Sequence, residues 1–260
     1  MRIVVCVKHV PDADGDRRIE EGRLVRGEDD VLNELDEYAI EAAVSAVEAH
    51  GGEVVAVTMG PEDAEDALTR ALQMGADRGV LITDEELEAA DALGTAAVLS
   101  RAVKMLDEEA PVDLVLTGMA SLDGMTSMVP PALAATLGWP LLDVAEQFAI
   151  GEGGQVEITR HADGYEDTLS ADFPAVVSVT DVINEPRYPT FKDLRAARSK
   201  PIDEVSWEDL SKWVERPVNL HRTRVVEAAP KERAAGVIIQ DSGDGGERLA
   251  QYLFEQGSEG

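Results

Sequence analysis

The sequence contains very little cysteine and few basic residues. Cys6 is the only cysteine in 260 residues, so an intrachain disulfide and a cysteine metal cluster are excluded, and we expect a reducing compartment. Lysine and arginine together number 23 against 52 aspartates and glutamates, which gives a net charge of −29. A surface with that balance repels phosphate backbones, so we do not expect a nucleic-acid-binding protein.

Long apolar runs and several catalytic motifs are also missing. No apolar run reaches the roughly 18 residues that a membrane span needs, and charge interrupts the first ten residues too early for a signal peptide. There is no GxGxxG after the first strand, no Walker lysine loop, no GxSxG elbow and no histidine pair at metal-binding spacing. We therefore expect a soluble, cytoplasmic carrier or sensor without an acid–base pair of its own.

The acidic residues are spread along the whole chain and are not gathered in a tail. We interpret this as adaptation of a halophilic protein to high cytoplasmic salt, in which charges are screened within a few ångströms. An ordinary acidic protein of a mesophile is the alternative.

The first 140 residues repeat a short β-branched run, a turn and an alanine-rich amphipathic helix. The strands have continuous apolar runs, which is typical of parallel strands covered by helices on both faces. The predicted strands are 2–10, 53–59, 78–83 and 112–118, and the predicted helices are 34–50, from Pro61 to Gly75, and 92–109. This order predicts an α/β fold with a doubly wound, mainly parallel sheet.

The pattern changes after residue 143. Residues 144–172 alternate apolar and polar and predict antiparallel strands or a hairpin on the sheet edge, and 173–182 return to a buried strand. We therefore expect an α/β domain at 1–182, a loop at 183–200 and an arm at 201–260. The arm has an amphipathic turn at 206–214, a strand at 237–240 and a helix at 245–257, which cannot close a core alone. It must pack on its own sheet or on another chain, and tryptophans flanked by charge in an aromatic-poor sequence favour a partner surface.

Two loops have the chemistry of a nucleotide site. Residues 117–131 leave a buried strand, turn on Gly118 and Gly124, and enter a helix near Thr126 to Met128, where free N–H groups suit a phosphate. An ordinary strand-to-helix loop is the alternative. Residues 30–39 contain Asn33 and Asp36, which either cap the helix that starts at Glu34 or contact a ribose or base.

Residues 183–200, INEPRYPTFKDLRAARSK, reverse the charge of the chain. They contain five basic side chains against Glu185 and Asp193, and Pro186 and Pro189 exclude a helix interior or a central strand from the first half. The result is a stiff, basic loop with aromatic residues at its tip.

The chain resembles the β subunit of electron-transfer flavoprotein nearly from end to end. The resemblance lies in VCVKHVPD, LNELDEYAIEAAV, VTMGPEDAEDALTRALQMGADRGVLI, LVLTGMASLDGMTSMVPPALAATLGWP and INEPRYPTFKDLRAARSKP. It implies an adenine-nucleotide alpha-hydrolase-like fold and a C-terminal arm that wraps around an α subunit. It also implies that the heterodimer accepts electrons from dehydrogenases, such as the acyl-CoA dehydrogenases of fatty acid β-oxidation, and passes them to a membrane quinone oxidoreductase.

The resemblance further implies that the redox FAD is shared with the α subunit, and that this chain binds AMP or, in bifurcating members, a second FAD. The implied nucleotide contacts are Cys6, Asn33, Leu35, Asp36, Met59, Gly118, Asp123, Gly124, Thr126, Ser127 and Val129. The implied partner-recognition residues are Arg187, Tyr188, Phe191, Lys192 and Arg195, with Phe191 as the apolar anchor.

The chain departs from the family pattern at Glu34, Met125 and Met128, where the family usually has proline, aspartate and glutamine. These departures leave AMP and a second FAD open. A universal-stress-type ATP-binding protein and an ATP pyrophosphatase-like enzyme share the predicted architecture. The first usually has a Gly-x-x-Gly spacing followed by Gly-Ser, which the loop 117–131 does not have. The second needs a Ser-Gly-Gly-x-Asp-Ser loop after the first strand, where this chain has HVPDADGD.

Overall fold

The computed structural model describes residues 1–15, 18–88, 90–151, 153–213, 224–229, 238 and 240–257. The chain forms two compact units, residues 1–225 and residues 226–260. The first unit contains almost all of the regular secondary structure, and both candidate sites lie in it.

The described strands and helices follow the sequence in a mostly alternating order. The strands are β1 (Arg2–Cys6), β2 (His9–Pro11), β3 (Ile19–Glu20), β4 (Arg23–Leu24), β5 (Asp30–Leu32), β6 (Glu53–Met59), β7 (Arg78–Ile82), β8 (Leu114–Gly118), β9 (Leu141–Ala145), β10 (Gln147–Gly151), β11 (Gln155–Ala162), β12 (Tyr165–Asp172), β13 (Ala175–Val179) and β14 (Ile202–Val205). The helices are α1 (Glu34–His50), α2 (Glu65–Met74), α3 (Ala92–Glu109), α4 (Val129–Leu137), α5 (Phe191–Ala197), α6 (Trp207–Leu210) and α7 (Gly245–Gly257).

Seven strands form the central sheet, in the order β14-β7-β6-β1-β8-β13-β9. All of its described pairings are parallel. β1 lies in the middle, with Cys6 opposite Val57 on one side and Thr117 on the other. The predicted doubly wound α/β fold is confirmed.

The sheet is buried on both faces because helices cover each of them. Ile3 and Val5 point to the face covered by α1 and α2, whereas Val4 and Cys6 point to the face covered by α3 and α4. This explains why the strands are apolar without alternation: successive residues enter different cores. The side chains of Ile3, Val4 and Val5 are completely buried.

The predicted antiparallel segment forms its own sheet. β10, β11 and β12 pair in sequence order, and Val156 and Ile158 of β11 pack into the core on the α1 side. β13 then returns as a fully buried strand of the central sheet. The antiparallel strands and the buried strand predicted within 144–182 are confirmed, but the expected position of the antiparallel strands on the sheet edge is wrong. They form a separate sheet, and the edge of the central sheet is β9, which the periodicity did not reveal.

Further elements of the first unit differ from the prediction, among them the short helix α5 inside the predicted loop 183–200. The predicted strand 2–10 divides at Val7, because the chain leaves the central sheet and β2 pairs antiparallel with β5. β14 was missed: it extends the central sheet beside β7, although its sequence IDEV is short and half acidic. An edge strand buries one side only, so its apolar signal is weak.

The segment that follows β14 packs on this chain's own sheet. Leu210 is completely buried in the core on the α3 side, and the guanidinium of Arg101 lies 4.4 Å from the centroid of the Trp207 ring. In the second unit, α7 has the bounds that the sequence predicts. Two of the four residues of the predicted strand 237–240 lie outside those described. None of the described helices combines the length and the apolar character needed to cross a bilayer.

Candidate functional site

The candidate nucleotide site lies at the carboxyl ends of β1, β6 and β8. From β1 the chain winds outward through β6 and β7, and then returns to the other side of β1 with β8. The winding direction therefore reverses between β1 and β8, and the loops that follow these two strands diverge at that point. Parallel sheets bind ligands in the crevice formed there.

Asn33 joins the two loops of this crevice. Its side chain is fully buried, its Nδ2 donates to Ala120 O at 3.0 Å, and its Oδ1 accepts from Leu122 N at 3.0 Å. Both ends of the amide therefore bind the backbone of the loop after β8. Helix α1 begins directly after Asn33, but the Asn33 side chain makes no capping hydrogen bond. The expectation that this side chain caps α1 is therefore wrong.

Asp36 connects α1 to the ends of β1 and β8. Its Oδ2 accepts from Lys8 N at 2.9 Å, and a Cβ added to Gly118 would lie only 2.6 Å from its Oδ1 and from Leu35 O. Only glycine allows this close approach of β8 to the helix. Burial raises the pKa of Asp36 to about 7, although hydrogen bonds from the Asn33 side chain and from the backbone of Lys8 and Gly118 favour its ionised form.

Asp123 is held by two cations. Lys8 Nζ lies 2.9 Å from its Oδ2, and Arg26 Nη2 forms a second ion pair with the same oxygen. The Asp123 side chain is only 3% exposed. Burial alone would raise the pKa of Asp123, but the charges and hydrogen bonds of Lys8 and Arg26 outweigh it and lower the pKa to about 2. This carboxyl group is therefore ionised at neutral pH.

The loop after Asp123 is open to solvent. Residues 124–128 are all exposed, and Met125 and Ser127 have φ angles of +48° and +50°. Left-handed backbone at a residue other than glycine costs roughly 1 kcal/mol, and such strain is common where a loop binds a ligand. The following helix α4 begins at Val129, slightly later than the sequence predicted.

Apolar side chains lie beneath this loop. Met59 and Val129 pack against the same core cluster as Cys6. Burial, helped by the charge of Asp36, raises the pKa of the Cys6 thiol to about 12, so it remains protonated and is not a nucleophile. Beside it, Thr117 is 5% exposed and its Oγ1 has no hydrogen-bond partner among the described residues.

The segment 183–200, which we call the docking segment, is fixed at its base. Arg187 Nε donates to Glu41 Oε2 at 2.7 Å and its Nη1 donates to Glu48 Oε1 at 2.7 Å, while Asn184 Nδ2 donates to Tyr38 O at 3.0 Å. All of these partners lie on α1. At the other end, Lys200 Nζ donates to Leu72 O and Ala76 O at the end of α2.

The tip of the docking segment points away from this base. Tyr188 is 91% exposed and Phe191 is 84% exposed, and Lys192 and Arg195 are exposed as well. Thr190 caps α5 by accepting from Asp193 N, and the Asp193 carboxylate accepts from Thr190 N in return. This reciprocal capping stabilises a short helix that would be marginal alone.

Comparison with known proteins identifies the family of this fold and site. Residues 22–210 match the family described as "Electron transfer flavoprotein domain". The chain is 36% identical over 265 residues to "Electron transfer flavoprotein subunit beta" of Mycobacterium leprae (strain TN), with 98% of each chain covered. The chain belongs to the electron transfer flavoprotein β-subunit family.

Other relatives agree with this assignment. "Electron transfer flavoprotein subunit beta" of Bacillus subtilis (strain 168) is 33% identical over 242 residues, with 92% of each chain covered. "Protein FixA" of Azorhizobium caulinodans is 36% identical over 223 residues, which cover 82% of this chain and 79% of that protein. The family resemblance seen in the sequence is therefore confirmed.

In this β-subunit family member, the structure brings the sequence-predicted nucleotide residues to one edge of the sheet. Cys6, Met59 and Gly118 end β1, β6 and β8. The others lie at the start of α1, in the loop after β8, or at Val129, the first residue of α4. The predicted partner-recognition residues form a second group, on the docking segment. Arg187 differs from the rest of that group because its guanidinium binds Glu41 and Glu48 of this chain.

Sequence reasoning missed two charged residues of the site, Lys8 and Arg26. Lys8 could have been found as a basic residue directly after the central strand of an acidic chain. Arg26 had no such signal. It lies in residues 12–29, the excursion between β2 and β5, and reaches Asp123 only in the folded protein.

Proposed function

We propose that this chain is the β subunit of a heterodimeric electron-transfer flavoprotein and carries no reaction of its own. In this proposal, its α subunit shares the redox FAD with it. Dehydrogenases such as acyl-CoA dehydrogenases deliver electrons, and a membrane quinone oxidoreductase accepts them. The complex works in the cytoplasm. The observation that carries the proposal is that one helix, α1, holds two features. These are the loop after β8, where the winding of the sheet reverses (the switch point), and the exposed docking segment.

We propose AMP as the ligand of the switch-point loop. The residues fit a mononucleotide: two cations and the exposed loop 124–128 offer donors for a phosphate, and the apolar side chains of Met59 and Val129 offer a surface for a base. The unpartnered Thr117 Oγ1 is a buried polar atom that a base or ribose could satisfy. The backbone donors do not depend on the family glutamine that Met128 replaces.

The FAD supplies the redox chemistry when it is bound. The residues of this chain have two other tasks. Asn33 and Asp36 hold the nucleotide loop in place, and the docking segment presents Tyr188 and Phe191 to an electron donor. An exposed aromatic side chain on a fixed base is typical of an interface anchor, because little conformational freedom is lost on binding.

The basic residues of the docking segment have a different role in this proposal. Lys192 and Arg195 are exposed and would attract a partner with an acidic rim, which raises the association rate more than the affinity. High salt screens that attraction. We therefore expect Phe191 to contribute more to partner binding than either basic residue.

The composition of the purified complex tests the proposal. The chain is co-expressed with the α subunit of its source, purified in high salt, and its released ligands are identified by chromatography and visible absorption. We expect a yellow heterodimer with one FAD and one AMP. A second FAD in place of AMP would contradict the AMP assignment and favour a bifurcating flavoprotein. A colourless single chain that carries ATP would contradict the flavoprotein proposal and favour a universal-stress-type protein.

A further inference from the structure

Lys8 and Arg26 form a pair of cations over one buried carboxylate at the switch point. Lys8 Nζ contacts Asp123 Oδ2 at 2.9 Å and Ser121 Oγ at 3.4 Å. Arg26 pairs with the same carboxylate and also donates from Nη1 to His9 O at 3.2 Å. Two positive charges therefore face the ionised carboxylate of Asp123, and the Lys8 charge also acts on the buried carboxyl group of Asp36, which is only partly ionised at neutral pH.

The acidic side chain of this group is buried, whereas its two basic side chains are partly exposed. The side chain of Asp123 is 3% exposed, whereas those of Lys8 and Arg26 are 42% and 37% exposed. The carboxylate lies beneath and the cations lie on the outside. A ligand that approaches this edge of the sheet consequently meets positive charge, on a chain whose net charge is −29.

The start of helix α4, which follows the loop, lacks two of the N–H donors that an anion would need. A helix start binds an anion through its free N–H groups, but Pro130 and Pro131 in the first turn of α4 have none. The remaining donors are the backbone N–H groups of Thr126, Ser127 and Val129, for which the described residues provide no acceptor. An anion at this place needs side-chain cations to replace the two missing donors.

We propose that Lys8 and Arg26 bind the phosphate of the adenine nucleotide and thereby select a phosphorylated nucleotide over the free nucleoside. This inference rests on the nucleotide-binding function proposed above and adds two residues to it. Each cation keeps its contact with Asp123 and turns its solvent-facing N–H groups to the phosphate. Charge-assisted contacts of this kind are among the strongest hydrogen bonds in proteins.

Asp123 then has a positioning role. Its carboxylate is ionised and lies under the cations, so direct contact with a phosphate would bring two negative charges together. By binding both Lys8 and Arg26, it fixes the two side chains before the ligand arrives. The alternative is that Lys8, Arg26 and Asp123 have only a structural role and hold the excursion between β2 and β5 against the loop after β8. A structural tie of that kind would affect the binding of nucleotide and nucleoside equally.

The test measures the ratio of AMP affinity to adenosine affinity. The co-purified α–β complex is stripped of nucleotide and titrated calorimetrically with AMP and with adenosine, as wild type and as K8Q, R26Q, K8R and R23Q. Arg23 is the matched control, because it lies in the same excursion and pairs with Glu88, away from Asp123. Adenosine binding reports that each variant is folded.

We expect the wild type to prefer AMP over adenosine by roughly a hundredfold, and K8Q and R26Q each to reduce that preference about tenfold. K8R should retain most of the preference because it keeps the charge, and R23Q should retain all of it. On the unaltered complex, inorganic phosphate should compete with AMP and leave adenosine binding unchanged, which tests the anion site without any substitution.

Two results would overturn the inference alone: equal affinity of the wild type for AMP and adenosine, or an AMP preference that survives both K8Q and R26Q. In those cases the nucleotide site stands and the cations are a structural tie. A wild-type complex that binds neither compound would instead overturn the proposed nucleotide function, and this inference with it.

Discussion

At the scale of single residues, the polar side chains around the switch point divide into two kinds. Asn33 and Asp36 bind the backbone of neighbouring loops and are almost completely buried. Lys8 and Arg26 keep exposed faces, and the loop residues Thr126 and Ser127 are open to solvent. The first kind determines the shape of the site, and the second kind is the one that a ligand can reach.

The titration of Asp36 leads to a pH-dependent stability. Its folded pKa of about 7 is above its ordinary value, so the native state binds the proton more tightly than the unfolded state. The stabilisation is complete below about pH 4 and is lost as the pH rises to 7. Relative to D36N, the wild type should therefore lose a few kcal/mol of unfolding free energy over this range, about 1.4 kcal/mol for each pH unit.

Urea unfolding at constant high salt, at several pH values between 4 and 8, measures this difference. The exposed Asp181→Asn is the control, and its unfolding free energy should run parallel to that of the wild type. If the D36N curve were also parallel, Asp36 would titrate normally in the folded protein.

Phe191 should matter for partner binding and not for stability. Because its side chain is 84% exposed, we expect F191A to change the unfolding free energy by less than about 0.5 kcal/mol. The same variant should raise the KM for a donor dehydrogenase at least about tenfold, since it removes an aromatic anchor. Steady-state reduction of the complex by an acyl-CoA dehydrogenase measures this, with K192A and R195A as comparisons. An equal or larger effect of the basic residues would reverse the expected order.

At the scale of elements, α1 connects the two candidate sites. At its N-terminal end, Asn33 holds the loop after β8 and Asp36 binds the backbone of Lys8 after β1. Its later turns hold the docking segment through Tyr38, Glu41 and Glu48. The helix is itself buried against β1 and β8. A single buried helix therefore keeps the loop after β8 and the docking segment at a constant separation.

Removing Arg187 should release the docking segment from α1. The Glu41 side chain is only 11% exposed, and Arg187 lowers its pKa against the opposing effect of burial. In R187M this carboxylate loses its main partner, so we expect a loss of roughly 2 kcal/mol in unfolding free energy. R195M, which changes an exposed arginine of the same segment, should have almost no effect.

Hydrogen exchange followed by mass spectrometry locates the R187M effect. Backbone amides of residues 183–190 should exchange faster in R187M than in the wild type, whereas R187K should lie between them, because lysine cannot reproduce the forked contact with two carboxylates. Unchanged exchange in R187M would mean that the prolines alone fix the segment.

At the scale of the whole molecule, the dominant property is the net charge of −29. Carboxylates that repel one another destabilise the compact state at low ionic strength. Many of the acidic residues are exposed, and close ion pairs occur both at the two candidate sites and elsewhere, as between Arg78 and Asp203.

Salt should therefore raise the melting temperature of the complex. We expect an increase of roughly 10 °C between 0.1 M and 2 M KCl, since the Debye length falls from about 10 Å to below 3 Å. Differential scanning fluorimetry measures this, with a non-ionic osmolyte as the control. A melting temperature that does not rise between 0.1 M and 2 M KCl would contradict the halophilic interpretation and favour an ordinary acidic protein of a mesophile.

The sequence by itself determined the five inner strands of the central sheet, the long helices between them and the family. The prediction of buried parallel strands is clear for β1 and β8, because a continuous apolar strand must be covered on both faces. The loop 117–131 is predicted as a candidate anion site from its glycines and hydroxyls. Both signals are local: neighbouring residues carry them whatever the rest of the chain does.

The tertiary structure decided how the individual side chains are used. Asn33 was predicted to cap a helix, yet its amide binds a loop nearly ninety positions further along the chain, and Arg26 meets Asp123 across a similar separation. β14 becomes a strand only because β7 offers it an open edge. Contacts between residues so far apart depend on how the sheet is wound, and a local sequence pattern contains no information about which loops that winding brings together.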